Sequence, residues 1–453
     1  EGTKIEFNNT YAAAGSVTFE GTKTIDGRDL TAADVFNFSV TENGTDKSWN
    51  VTNDATGKIN YPTITYTLAD VGVHTYTVTE TSTGGNGITV ATNNYTVTVT
   101  VTDKGDGKLN VVTSNNADAL DFVNTYEATG ELKLDGTKTL TGRELTAADT
   151  FTFVVKEGDT VVSEGTAQGT AAGGNTAVIN YADIEYTLDD VGTHTYTVTE
   201  TSVDGNGITV ATNRYTFTVT VSDNGNGTLS VTENNDGRIH EALDFTNTYG
   251  ANASVTFAGT KTIDGRTMTA SDTFSFQITE DGTDKSWMAT NDATGKINYP
   301  TISYTLEDVG THTYTVTETS TDGKGITVAT NNYTVTVTVT DNGNGTLNVE
   351  TSTNANALNF ENTYTATGKL ELDGTKTLTG RALKATDTFT FEVKEGNTVV
   401  SSGTAQGTAA GGNTAAISYA DIEYTLEDVG THTYTVTETS VSENGITVAT
   451  NTY

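Results

Sequence analysis

The stretch "HTYTVTE" occupies residues 74–80 and recurs three more times, ending at Glu200, Glu318 and Glu438. Its alternation is that of a half-buried β-strand: Tyr76 and Val78 point to one face, Thr75, Thr77 and Thr79 to the other. One further step along the apolar face arrives at Glu80, where the pattern calls for another valine. The same period governs the rest of the chain. "YTVTVTVTDKGDGKLNVV" (95–112) reads as a hairpin whose arms alternate around a turn rich in Asp and Gly.

Working outward, the chain of 453 residues is long enough for several domains. Its apolar residues are mainly Val, Ile, Leu, Phe and Tyr in alternating runs, with 46 Gly and only 2 Pro. That composition favours strands joined by Gly/Asn/Asp turns. No amphipathic helix stands out, and no apolar run is long enough to span a membrane. A net charge of −35 repels a polyanion, which argues against nucleic acid as a partner. Cysteine is absent, so a secreted chain of small β-domains must be stabilised by something other than disulfides. No signal peptide, sorting motif or anchor is visible, and the expectation is that this sequence is cut from something longer.

Internal repeats set the organisation. "GTKT" places a lysine at 23, 138, 261 and 376, in steps of 115, 123 and 115. "SVTFEGTKTIDGR" returns as "SVTFAGTKTIDGR" 238 residues later, and "TGELKLDGTKTLTGR" returns as "TGKLELDGTKTLTGR" at the same distance. Two domain types therefore alternate, A-B-A-B. Type A carries "DKSW" and "NDATGKINYPTI"; type B carries "GTAQGTAAGGNTA". Units close on "FVNTY" (122–126), "FTNTY" (245–249) and "FENTY" (360–364). By the same offset, "FNNTY" (7–11) closes a preceding B domain. The resulting division is 1–11 as the last strand of that B domain, 12–126 type A, 127–249 type B, 250–364 type A, and 365–453 a type B domain incomplete at its C-terminal end. Short spacers between units, none rich in proline, predict a stiff string. Seven to nine strands per unit predict a tandem array of immunoglobulin-like antiparallel β-sandwiches in an elongated rod.

The parity test applied to the other recurring phrases explains the misplaced carboxylate. Val17, Phe19, Lys23 and Ile25 share a face, as do Leu120, Phe122, Asn124 and Tyr126. Three strands thus each set one polar group on an apolar face: Lys23, Glu80 and Asn124. The second unit repeats this with Lys138, Glu200 and Asn247, the third with Lys261, Glu318 and Asn362. Lone buried Lys or Glu is costly, so the three are expected to meet. One outcome is a buried ion pair hydrogen-bonded to Asn, which is a weak stabiliser once desolvation is counted. The other is chemical. A desolvated lysine is a nucleophilic amine, a desolvated Glu holds its proton and polarises a carbonyl, and Asn offers a carboxamide carbon. Amine attack with loss of ammonia leaves a Lys–Asn isopeptide bond, with Glu moving the protons once per domain and with no turnover. Packing holds the groups at high effective concentration.

On "GTKT(L/I)xGR", "YTVTE" and "FxNTY" in that order, the unit resembles the pilin isopeptide-linkage domain of Gram-positive surface proteins, as in streptococcal major pilins. The resemblance covers essentially the whole chain, four times over. It implies bonds Lys23–Asn124, Lys138–Asn247 and Lys261–Asn362, with Glu80, Glu200, Glu318 and Glu438 as autocatalytic residues. Asn9 and Lys376 are expected to be left without partners in their incomplete domains. Major pilins also carry a second lysine for sortase polymerisation; no Lys follows Pro62 or Pro300 in the two "INYPTI" phrases. The expected function is therefore the stalk of an extracellular, cell-wall-anchored surface adhesin. Such a stalk adjoins further repeats, reaches the wall through an anchor and meets a host or cell-surface ligand through a tip domain, both outside this sequence. The alternatives are the shaft subunit of a sortase-assembled pilus and a ligand-binding adhesive module. No cofactor and no metal is expected: "DKGDG" and "DNGNG" lack the ligands of a calcium loop and read as turns. His74, His194, His312 and His432 have no second His or Cys nearby and read as packing residues. Arg28, Arg143, Arg266 and Arg381 follow a turn glycine and are expected to pair with a local carboxylate.

Overall fold

Each alternating strand has one apolar face, and two sheets of such strands cover one another as a sandwich. In the computed structural model, which describes residues 2–233 and 242–453, the chain folds in this way as all-β domains. It forms two units, Glu1–Tyr249 and Gly250–Tyr453, each holding an A-type and a B-type domain.

The first A domain shows the plan. Its strands are β1 (Ala14–Thr18), β2 (Lys23–Asp26), β3 (Asn37–Glu42), β4 (Ser48–Thr52), β5 (Thr63–Thr67), β6 (Gly72–Glu80), β7 (Ile88–Thr89), β8 (Asn94–Asp103), β9 (Leu109–Thr113) and β10 (Phe122–Tyr126). One sheet has the order β4-β3-β6-β8-β9; the other is made of β1-β5 and β2-β10-β7. Ten strands, rather than seven to nine, arise because the first strand breaks into β1 and β2 and because β7 is a two-residue segment. The expectation of antiparallel pairing also needs correction at one place. Between named strands of this domain, β2 and β10 alone run parallel, with Phe122 opposite Lys23 and Asn124 opposite Ile25. The first and last strands of the domain are therefore direct neighbours.

The glycine of "GTKT" permits that neighbourhood. A Cβ on Gly21 would lie 2.1 Å from the Leu120 carbonyl oxygen, and one on Gly136 would lie 2.3 Å from that of Leu243. Only glycine lets the two backbones approach so closely. Between the sheets lie Phe38, Val40, Tyr76, Val78, Val97, Val99 and Phe122, all fully buried. The buried hydroxyls of Tyr66 and Tyr76 satisfy each other at 2.8 Å, so neither is left without a partner.

The B domain keeps the plan with a longer second hairpin, Thr150–Glu157 against Thr160–Gln168, kinked by a register shift between Val155 and Lys156. Its first and last strands, Thr137–Thr141 and Phe245–Tyr249, are again parallel neighbours, with Leu140 opposite Asn247. In the second unit the same pairing joins Lys261–Asp264 to Phe360–Tyr364. The phrase at 7–11, expected as a last strand, carries no strand: residues 2–13 pair with no sheet, and Phe7 is exposed.

Candidate functional site

Two strands of one sheet and one of the other build a polar cluster inside each complete sandwich. Lys23 opens β2 and Asn124 stands at the centre of β10, on the same inward face. Glu80 ends β6 in the opposite sheet, with its backbone opposite Phe38. Their side chains meet in the core. Lys23 Nζ lies 3.2 Å from Glu80 Oε2, with both side chains fully buried. Asn124 Nδ2 donates to Glu80 Oε1 at 3.0 Å. In the B domain Lys138 Nζ donates to Glu200 Oε2 at 2.7 Å, and Asn247 Nδ2 to Glu200 Oε1 at 2.8 Å. In the second A domain Lys261 Nζ is 3.1 Å from Glu318 Oε2, within ion-pair distance but out of line for a hydrogen bond, and Asn362 Nδ2 donates to Glu318 Oε1 at 2.9 Å. The carboxylate on the apolar face of "HTYTVTE" is thus the bridge between a lysine and an asparagine that enter from the other sheet.

The amine is placed in a poor environment for charge. Lys23, Lys138 and Lys261 are buried, each with Nζ about a ring's contact away from a phenylalanine: 4.9 Å from the Phe36 centroid, 4.8 Å from Phe151 and 5.0 Å from Phe274. Burial pushes all three amines below the usual lysine range, and the attraction of the neighbouring carboxylate only partly opposes it.

A fourth group, absent from the sequence reading, completes the cluster. Asn124 Oδ1 accepts the backbone N–H of Ala91 at 2.7 Å; Ala211 and Ala329 do the same for Asn247 and Asn362 at 2.6 and 2.7 Å. The pairing of β7 with β10, Thr89 opposite Thr125, brings this loop beside the asparagine. The contact also fixes which end of each carboxamide is which, because an N–H cannot donate to an NH₂. Consequently Glu80 faces the nitrogen of Asn124, and the backbone amide faces its oxygen. The expectation that Glu polarises the carbonyl is corrected here: a backbone donor already occupies that position. The only signal in the sequence was "ITVAT", which recurs unchanged at 88–92, 208–212, 326–330 and 446–450.

The last domain shows the cluster without its asparagine. Lys376 Nζ donates to both oxygens of Glu438, at 2.9 and 2.7 Å, and Glu438 Oε2 accepts the Ala449 N–H at 3.2 Å. Lys376 therefore lacks an Asn but is paired with Glu438. Asn9 lies exposed in the strandless segment near the start.

The remaining sequence candidates have local partners. Arg28 forms a two-point pair with Asp34 at 2.9 and 2.7 Å, and Arg143, Arg266 and Arg381 do so with Asp149, Asp272 and Asp387. His74 bridges the Glu42 carboxylate at 2.5 Å and the Asp70 carbonyl at 2.7 Å, and its counterparts His194, His312 and His432 sit likewise against Glu157, Glu280 and Glu395. Among the described residues no group of three or more His, Cys, Asp or Glu could hold a metal ion, and no helix is long and apolar enough to cross a membrane.

Comparison with known proteins gives a consistent match. The family described as FctA, Spy0128-like isopeptide containing domain, matches residues 19–127, 134–250, 257–365 and 372–453. Similar solved structures include the major pilin from Streptococcus pyogenes, 19% identical over 51% of this chain and 98% of the pilin, with a TM-score of 0.20. The full-length major pilin SpaD from Corynebacterium diphtheriae is 14% identical over 80% of this chain and 99% of its own, with a TM-score of 0.16. The Bacillus anthracis TIE protein is 12% identical over 99% of this chain and 72% of its own, with a TM-score of 0.20. No curated protein sequence matches.

Proposed function

Because this chain belongs to the family of Spy0128-like isopeptide-containing domains and carries that domain four times, we propose that it is a load-bearing segment of an extracellular, wall-anchored surface fibre. Each complete domain is closed by an autocatalytic Lys–Asn bond. The observation that carries this reading is the fully buried bridge of one carboxylate between an amine and a carboxamide nitrogen, made three times over.

The orientation of the groups gives each a task. The neutral Lys138 amine attacks Asn247 Cγ. The Ala211 N–H holds the carboxamide oxygen and stabilises the negative charge that develops on it. Glu200 Oε2 takes the proton that Lys138 loses, and Oε1, already on Asn247 Nδ2, delivers one to the departing nitrogen. One C–N bond forms, one breaks, and ammonia leaves. The product is a neutral amide, so no amine that could become charged is left buried. Glu acts once per domain and the protein is not a turnover enzyme.

The parallel neighbourhood of first and last strands gives the bond its mechanical sense. Tension entering through β1 reaches Lys23 at the start of β2 and leaves through β10, and β2 and β10 are adjacent strands that would otherwise part by shearing their backbone hydrogen bonds. A covalent link between them carries the load, and the 100 residues between Lys23 and Asn124 are never asked to extend. Peptide mapping of the intact chain tests the proposal. Branched peptides joining Lys23 to Asn124, Lys138 to Asn247 and Lys261 to Asn362 are expected; recovery of all three lysine peptides in linear form defeats it.

A further inference from the structure

We propose that the turn at 223–227, which joins the strand Arg214–Asp223 to Leu229–Glu233 in the first B domain, is a docking socket for the closing tyrosine of the domain before it, and that this contact locks the joint between the first A domain and the first B domain. The occupant is the last tyrosine of an "NTY" strand from a domain of this same class. The inference does not depend on the isopeptide chemistry.

Tyr126 ends the first A domain, and its hydroxyl leaves that domain. It donates to Asp223 Oδ1 at 2.7 Å and accepts the Gly227 N–H at 3.2 Å, both in the hairpin turn of the following B domain. Its ring stays with its own domain, 4.8 Å from the Arg28 guanidinium carbon. The same two contacts are made by Tyr11, which donates to Asp103 Oδ1 at 2.9 Å and accepts the Gly107 N–H at 3.1 Å. Residues 2–10 around that second case pair with no sheet, so the tyrosine is seated there without a packed domain behind it. The socket recognises the residue itself.

The turn is shaped for this. In "DKGDG" and "DNGNG" the first Asp accepts the N–H of the first Gly, Gly105 at 3.0 Å and Gly225 at 2.9 Å, through the same oxygen that receives the tyrosine. The second Gly, at φ +81° in Gly107 and +86° in Gly227, turns its N–H toward the hydroxyl. Gly227 has a further reason to be glycine: a Cβ there would stand 2.6 Å from the backbone nitrogen of Gly87 in the preceding domain. The spacer is fastened on both sides, by Glu127 N–H to the Gly87 carbonyl at 3.0 Å and by Leu229 N–H to the Thr129 carbonyl at 2.8 Å. These turns, which resemble fragments of calcium loops, therefore serve as connectors.

The chain has no cysteine, so a pair of introduced cysteines can be spin-labelled without background. Val73→Cys and Val203→Cys, both at exposed positions, put one label in each domain of the joint; Val73→Cys with Val112→Cys gives a pair within one domain. In the full chain the inter-domain distance distribution should be narrow. Tyr126→Phe keeps the ring on Arg28 and removes the charge-assisted hydrogen bond, so the undocked population should rise by about ten-fold and the distribution should broaden. The pair within one domain should not change. An inter-domain width equal to the parent's overturns the proposal. Should the pair within one domain broaden as well, Gly227→Ala decides: it keeps the hydroxyl and wedges Gly87, so a shifted inter-domain distance supports the socket and an unshifted one overturns it.

Discussion

Replacing Glu200 by alanine should leave the first B domain folded but uncrosslinked. The apolar faces that make the sandwich are untouched, since Phe153, Tyr196, Val198, Val219 and Phe245 fill the core independently of the carboxylate. What is lost is the proton path between Lys138 and Asn247. Two costs follow. The Lys138–Asn247 link closes a loop of 109 residues, and on the loop-entropy account its absence removes about 5 kcal/mol. The amine, which donated to Glu200 at 2.7 Å, is also left buried without that acceptor, at about 1–3 kcal/mol more. For a domain of this size each kcal/mol is worth about 4 °C, so the B-domain transition should fall by roughly 20–30 °C. Asn247→Ala separates the terms: it abolishes the link but keeps the Lys138–Glu200 pair, so its fall should stay near the loop-entropy part. The assay is intact mass together with calorimetry of the full chain. The parent should lack three ammonias relative to its sequence and each variant two, after correction for the substitution. A Glu200→Ala chain that still lacks three ammonias refutes the assignment of Glu200, whatever its melting temperature.

Ala211→Pro removes the N–H that Asn247 Oδ1 accepts and should slow bond formation in that domain by roughly 10²–10³, read as the rate of ammonia loss after refolding; an unchanged rate assigns the carbonyl to another donor. Gly136→Ala places a Cβ 2.3 Å from the Leu243 oxygen and should push the first strand off the last, so that Lys138 remains uncrosslinked in peptide maps while Lys23 does not. The histidines give the fold a pH dependence. The Asp190 carbonyl, and after it the Glu157 carboxylate, raise His194 above the ordinary histidine value against the opposing effect of burial, and the Asp428 carbonyl with Glu395 raises His432; in His74 and His312 burial opposes most strongly, yet the Asp70 and Asp308 carbonyls with Glu42 and Glu280 still raise them. A raised folded value means a stabilisation fully present below about pH 6.5 and lost as pH climbs through the folded value. Melting temperature should therefore decline from mildly acidic to alkaline pH, and a chain with all four residues changed to Gln should lose that slope.

The alternation in "HTYTVTE", the GTKT and NTY phrases and their repeated spacing were sufficient to read four all-β domains and to single out Lys, Glu and Asn as polar groups on apolar faces. Parity is a local property: two residues apart on a strand means one face, whatever the strand's neighbours. Which neighbours a strand takes is not local. The parallel contact of β2 with β10 closes about a hundred residues of chain, and within the expected sandwich it is the strand pair of the first A domain that departs from antiparallel, the pair that brings Lys23 and Asn124 side by side. Side-chain direction across the core was equally hidden. A sequence places Glu80 near Asn124 but does not say which end of the carboxamide it meets; the Ala91 N–H, brought in by a two-residue strand, decides that. The same holds for the closing tyrosines. Their parity assigns them to the inward face, and Tyr126 is buried as that predicts, yet its hydroxyl bonds to the next domain's hairpin tip because packing of consecutive domains, and no property of the strand itself, supplies Asp223 as its acceptor.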